Sequence, residues 1–180
     1  MDENNEVSDH IKKVVVIGPE STGKSTLSAA LATYYNTAWV PEYARHYIER
    51  LDRPYEKSDL SKIAEGQLQW EDEKVKEANK LLICDTDLIV IKIWSEHKYG
   101  DCASQILEQI KSRPYDLYLL TDVDLPWQED PQRENPHLRD YFMDIFEQEI
   151  EATGVPFVKI SGDHYQRMKK AVEAVDGMFR

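Results

Sequence analysis

Lys13-Val-Val-Val-Ile17-Gly18-Pro-Glu20-Ser21-Thr22-Gly23-Lys24-Ser25-Thr26-Leu-Ser-Ala-Ala30 is the stretch whose reading decides the fold. Val14 to Ile17 is a β-branched apolar run, and branched side chains suit a strand covered on both faces. Gly18 breaks the run, and from Ser25 onward small and apolar residues follow a helical pattern. Between strand and helix lies G-x-x-x-x-G-K-S. Its glycines let backbone N–H groups turn inward around an anion, and the helix N-terminus adds a favourable field. Gly18, Glu20, Ser21, Thr22, Gly23, Lys24, Ser25 and Thr26 are therefore expected to hold the phosphates of a nucleoside triphosphate. Lys24 would reach the β- and γ-phosphates, and the Ser25 hydroxyl would ligate Mg²⁺. The bland alternative, a glycine-containing turn matching by chance, requires strand, loop, Lys-Ser and helix to fall in order by accident.

Outward from this loop, strands and helices alternate. Thr37 to Val40 reads as a second strand stopped by Pro41, and Glu42 to Leu51 as a helix. A long helix runs from Ser58 to about Asn79, with Leu60, Ile63, Ala64, Gln67 and Leu68 inward and the charged run from Glu71 to Glu77 assigned to solvent. Leu81 to Asp85 is a third strand, and residues 88–97 and 103–111 are helical. Asp116 to Thr121 forms a fourth strand. Residues 122–136, rich in proline and acid with one arginine, make a loop long enough to be a lid. A helix from Pro136 to Thr153, a strand from Pro156 to Ile160 and a helix capped by Asp163 complete the chain. The pattern specifies an α/β three-layer P-loop fold, a five-stranded parallel sheet with helices on both faces. Residues 1–11 are expected to be a disordered segment and 12–180 one kinase domain. Ligands of such sheets bind beyond the carboxyl ends of the strands, so Gly18, Glu42, Asp85, Thr121 and Gly162 should ring one crevice.

Asp85 ends a buried strand, where an acid can hold Mg²⁺ beside Ser25; a helix N-cap is the other reading, and it applies to Asp87 as well. Glu42 is placed to orient an acceptor hydroxyl, or else stabilises the first turn of its helix. Arg133, and less clearly Arg139, stands in or beside the lid, where an arginine can neutralise a transferring phosphoryl group. Ser161-Gly162 is a positional candidate for the base of the nucleotide.

The formal net charge of −12 argues against a nucleic-acid partner, since it repels phosphate backbones. No apolar run reaches the roughly 18 residues of a membrane span. Two cysteines, Cys84 and Cys102, make neither a disulfide framework nor a metal quartet, so the expected compartment is the cytoplasm. Asn79-Lys80-Leu81-Leu82 fails the guanine motif of a small GTPase, and the chain is short for a motor or AAA-type ATPase. A small-molecule kinase is favoured, with a non-catalytic ATP-binding regulatory module as the rival of another class.

Beyond the phosphate loop, Pro41-Glu-Tyr-Ala-Arg45, Ala78-Asn-Lys80, Asp85-Thr-Asp87, Tyr115-Asp-Leu117 and Pro126-Trp127…Asp130…Arg133 occur in this order. The combination, over residues 12–178, resembles the nicotinamide riboside kinase domain of NadR-type proteins. The resemblance implies ATP- and Mg²⁺-dependent phosphorylation of the ribose 5′-hydroxyl of nicotinamide riboside. It implies Lys24 and Ser25 at ATP and metal, Glu42 with Asp85 or Asp87 near the acceptor and Arg133 on the lid. Tyr43 and Arg45 fall in the shared motif, and the family's aromatic rings around nicotinamide point to Trp70 and, at an offset position, Trp39. A cationic nicotinamide suits aromatic faces and nearby carboxylates. Larger family members carry adenylyltransferase and sometimes DNA-binding domains; this chain has no H-x-G-H, and neither activity is expected. The lid reads Asp130-Pro131 where the family usually has glycine.

Overall fold

The computed structural model describes residues 10–180. Most of the segment expected to be frayed, residues 1–9, lies outside the described residues; Ile11 packs against the core. Five strands, β1 (Lys12–Ile17), β2 (Trp39–Val40), β3 (Leu81–Asp85), β4 (Leu117–Thr121) and β5 (Phe157–Ile160), form one sheet in the order β2-β3-β1-β4-β5. Every pairing is parallel. The connecting helices are α1 (Lys24–Tyr34), α2 (Tyr43–Glu49), α3 (Lys57–Lys74), α4 (Leu88–Tyr99), α5 (Ser104–Ser112), α6 (Arg139–Thr153) and α7 (His164–Gly177).

The strands are apolar on both faces because both are covered. Successive side chains alternate, so Val14 and Val16 join Leu27, Leu31, Ala171 and Val175 of α1 and α7. Val15 and Ile17 face the other way, with Ile89 and Ile93 of α4 and Phe142 and Phe146 of α6. A third apolar cluster joins α2, α3, α4 and α5 through Ala44, Leu60, Ile63, Ile91 and Ile106. β1 sits between β3 and β4, so the chain leaves it where the strand order reverses, and a crevice opens there beyond the strand ends. Gly18 turns the chain out of β1 at φ 154°, and a Cβ there would meet the Thr121 carbonyl oxygen at 2.8 Å. No side chain fits that approach.

Two boundaries differ from expectation. α6 begins at Arg139, since residues 135–138 form a turn closed by Leu138 N–H on the Asn135 carbonyl at 3.2 Å. α3 ends at Lys74 and tightens into a short 3₁₀ turn, Val75–Glu77. A third difference concerns packing. Glu71, assigned to the solvated face of α3, is 1% exposed. Its carboxylate accepts from Lys13 Nζ at 2.9 Å and the Tyr115 hydroxyl at 2.8 Å, so it ties α3 to the start of β1 and the entry to β4. A charge run read along one helix does not reveal two donors supplied from elsewhere in the chain. Among the described residues no helix is long and apolar enough to cross a membrane.

Candidate nucleotide and acceptor site

A cleft of about 330 Å³ opens above the carboxyl ends of the strands. All eight residues expected to bind the nucleotide line it, together with Glu42, Arg45 and Arg133. The loop is shaped by its own bonds. Thr22 Oγ1 donates to the Pro19 carbonyl at 2.7 Å and lies 2.7 Å from Thr121 Oγ1, which fastens the loop to the end of β4. Lys24 Nζ also donates to the Pro19 carbonyl, at 2.7 Å. Burial lowers the Lys24 pKa, and the nearby carboxylates of Glu42, Asp85 and Glu20 oppose that shift. The acids offset part of the effect of burial on the ammonium that stands beside the phosphate cradle.

Ser25, in the first turn of α1, donates from Oγ to Asp85 Oδ2 at 2.5 Å. Asp85 Oδ1 is buried and has no partner. Among the described residues no group of three or more His, Cys, Asp or Glu side chains forms a metal cage. A hydroxyl beside a buried carboxylate with one open oxygen fits a magnesium ion that takes its remaining ligands from phosphate and water. Burial raises the Asp85 pKa, and the Ser25 hydrogen bond and the Lys24 charge counter it.

Glu42 sits at the N-cap of α2 with extended backbone, φ −67° and ψ 109°, but its side chain makes no capping bond. Its carboxylate therefore does not serve the helix and faces the cleft instead. Its pKa is raised, first by burial and then by the Asp85 charge, with Lys24, Arg45 and Arg133 acting the other way. A carboxylate raised by desolvation is a stronger proton acceptor than one in water.

The D-T-D turn separates its two acids. Thr86 is held at φ 69° with its N–H on the Val16 carbonyl at 2.9 Å, a left-handed position costly for a β-branched residue. Beyond it Asp87 turns away from the cleft: it caps α4 by accepting from Ile89 N–H at 3.0 Å and takes the Tyr118 hydroxyl at 2.7 Å. Asp87 is thus the helix cap, and its expected place at the acceptor is corrected. Trp39 is corrected as well. Strand alternation sends Val40 to the α4/α6 face and Trp39 to the α1/α7 face, where it packs against the cluster that contains Leu31 and Ile83.

Tyr43 and Trp70 do not line the cleft but lie edge to face, centroids 4.8 Å apart, with His46 5.1 Å from Trp70. Gly66 of α3 makes this packing possible, because a Cβ there would fall inside the Tyr43 ring. Gln67, also on α3, accepts the Tyr43 N–H at 2.8 Å. Both supporting residues escaped the sequence reading, which placed Gln67 inward without a role.

The loop after β4 lies over the phosphate loop. Gln128 N–H donates to Ser21 Oγ at 2.9 Å, and Glu20 accepts from the backbone of Glu134 and Asn135 at 3.2 and 3.1 Å. Arg45 pairs with Asp130 at 3.0 Å, which ties the loop to α2. Arg133, held by the Gln128 carbonyl at 2.5 Å, points its guanidinium at the cleft. The site also contains residues that sequence reasoning missed: His164 and Arg167 of α7 and the apolar wall of Val90, Trp94, Phe142 and Phe146. His164 and Arg167 follow a strand end by a few residues, which was the available signal.

The family model of the AAA domain, AAA_28, matches residues 13–167. The trifunctional NAD biosynthesis/regulator protein NadR of Escherichia coli K12 is 30% identical over 177 residues, covering 93% of this chain and 43% of that protein. NadR of Salmonella typhimurium LT2 is 30% identical with the same coverage. The chain thus spans less than half the length of these curated relatives. Among solved structures, NadR protein in complex with NR superposes with a TM-score of 0.76 at 25% identity, over 94% of this chain and 50% of that one. A deoxyadenosine kinase from M. mycoides with bound products gives 0.57 at 14% identity over 92% and 99%, a likeness of fold alone. With its phosphate loop, its parallel sheet and a match that runs from β1 into α7, the chain belongs to the AAA domain family.

Proposed function

We propose that the protein is a kinase that transfers the γ-phosphoryl group of ATP, with Mg²⁺, to the ribose 5′-hydroxyl of nicotinamide riboside, giving nicotinamide mononucleotide. The observation that carries a transferase reading is the Glu42 carboxylate, free of any capping bond, in the same cleft as Lys24. A nucleotide switch has no use for such an acid; a kinase uses it to hold and deprotonate the acceptor hydroxyl. The likeness to NadR bound to NR supports nicotinamide riboside as that acceptor.

In this reading the loop amides and Lys24 bind the β- and γ-phosphates, and Ser25 and Asp85 would hold Mg²⁺. When bound, the ion offsets phosphate charge and orients the γ-phosphoryl group for in-line attack. Glu42 accepts the hydroxyl proton as the oxygen attacks phosphorus, and the bond to the β–γ bridging oxygen breaks. Arg133 neutralises charge on the equatorial oxygens, while the loop over the site excludes water that would otherwise hydrolyse ATP.

A kinase for a different nucleoside is the second reading, favoured by the placement of Trp39 on the far face of the sheet. Both are tested by ADP release from Mg-ATP against a nucleoside panel. Stimulation by nicotinamide riboside with nicotinamide mononucleotide as product supports the first reading. Stimulation by another nucleoside alone keeps the mechanism and removes the substrate. ATP binding without stimulation by any nucleoside removes the transferase reading.

A further inference from the structure

Two arginines grip the phosphate loop by its backbone carbonyls. Arg167, near the start of α7, is 4% exposed. Its Nη1 donates to the Thr22 carbonyl at 2.6 Å, its Nε to the Gly162 carbonyl at 2.9 Å and its Nη2 to the Asp122 carbonyl at 3.2 Å; Asp124 supplies the counter-charge. Arg139, the first residue of α6, donates from Nη1 to the Ser21 carbonyl at 3.2 Å and the Leu125 carbonyl at 2.9 Å. Successive carbonyls of the loop, Ser21 and Thr22, are thus each held by a different helix.

The consequence follows from peptide geometry. All peptide bonds described are trans, so a carbonyl held outward sends the N–H of the same peptide the opposite way. The Ser21 carbonyl shares its peptide with the Thr22 N–H, and the Thr22 carbonyl shares its peptide with the Gly23 N–H. Among the described residues neither amide has a hydrogen-bond acceptor. We propose that Arg139 and Arg167 are positioning residues that hold the Thr22 and Gly23 amides toward the β-phosphate of the bound nucleotide. Their guanidiniums are bonded to the Ser21 and Thr22 carbonyls, so they act through the two peptide planes. The cradle is thereby formed before the anion arrives, and binding does not spend free energy on ordering a glycine-containing loop. Arg167 also spans three loops, so the phosphate loop, the root of the loop over the site and the β5–α7 turn keep one mutual register.

The inference rests on the nucleotide-binding half of the proposed function and is indifferent to the acceptor. Calorimetric titration of ADP and of AMP into wild type and Arg167→Met separates the two. The amides serve the β-phosphate, which AMP lacks. We expect ADP affinity to fall about tenfold or more, as expected for loss of a charge-assisted hydrogen bond, with AMP affinity changed by less than about threefold. Arg167→Lys, which keeps the charge but cannot bond three carbonyls, should fall between. Equal losses for ADP and AMP, or unchanged ADP affinity in a variant with a native thermal transition, would overturn the proposal. If Arg167→Met does not fold, Arg139→Met, which loses only two carbonyl bonds, carries the same expectation and the same overturning results. A wild-type protein that binds no ADP would instead remove the nucleotide reading itself, and the inference with it.

Discussion

Ser25 and Asp85, sixty residues apart in the chain, are joined by a 2.5 Å hydrogen bond that leaves the second Asp85 oxygen buried and unpartnered. The first turn of α1 and the end of β3 meet because β1 and β3 pair in register, Val16 beside Asp85. The pair is a hydroxyl and a carboxylate at one spot beside the phosphate loop. We therefore expect Asp85→Asn to raise the Mg²⁺ concentration for half-maximal turnover by about tenfold or more, as expected when a charged oxygen ligand is lost. ATP saturation and fold should be retained. An unchanged Mg²⁺ dependence, measured by ADP release, would remove Asp85 from the metal site.

Glu42 makes no bond within its own helix, so its replacement carries little structural cost. Glu42→Gln is expected to lower turnover about 10²-fold or more while ADP affinity stays within about threefold. Unchanged turnover would show that another group accepts the proton.

Arg133 faces the cleft from the loop that covers it. Arg133→Ala should lower kcat about 10²- to 10³-fold with a much smaller change in nucleotide KM, because its charge is needed most as the phosphoryl group transfers. A rise in KM alone would make it a ground-state binding residue.

Glu71 links α3 to the start of β1 and to Tyr115 without approaching the cleft. Glu71→Ala leaves Lys13 and Tyr115 without their buried acceptor, and should cost about 2–4 kcal/mol of stability. The drop in Tm should be roughly 5–15 °C, with catalytic constants below that temperature largely kept. A Tm shift near zero in thermal unfolding would show that water replaces the carboxylate.

Asp87 has its pKa pushed up to about 7 by burial, against the Tyr118 hydroxyl and the Ile89 amide. A carboxyl raised in the folded state binds its proton more tightly there than in the unfolded chain. Folding is therefore favoured at low pH, and that advantage is lost as pH rises from the ordinary value of 3.8 to about 7. Asp87→Asn removes this titration and keeps an oxygen for the cap. Its stability relative to wild type should climb between pH 4 and 7, by up to about 1.4 kcal/mol for each unit of displacement, and level off above. A difference that is flat with pH, measured by denaturant unfolding, would refute the shift.

Much of this molecule is legible along the chain. Val14–Ile17, Leu81–Cys84 and Leu117–Leu120 are apolar on both faces, which only a doubly covered strand requires, and helical stretches between them demand parallel pairing. Gly18, Lys24 and Ser25 identify the phosphate loop because their chemistry depends on spacing within one local segment. What depends on facing direction was not legible. Trp39 lies in a two-residue strand before a proline, too short for alternation to assign a face. Asp85 and Asp87 share a parity that suggests one direction, until Thr86 in a left-handed conformation sends them apart. The grips of Arg139 and Arg167 on successive loop carbonyls are also invisible in one dimension, since their partners lie 118 and 145 residues away. The sequence by itself determined the sheet, the phosphate loop and the edge where the strands deliver their chemistry, because local pattern and backbone geometry specify these. Only the tertiary structure decided which acid faces the cleft, which serves a helix and which arginines hold the loop, because those depend on packing between segments distant in the chain.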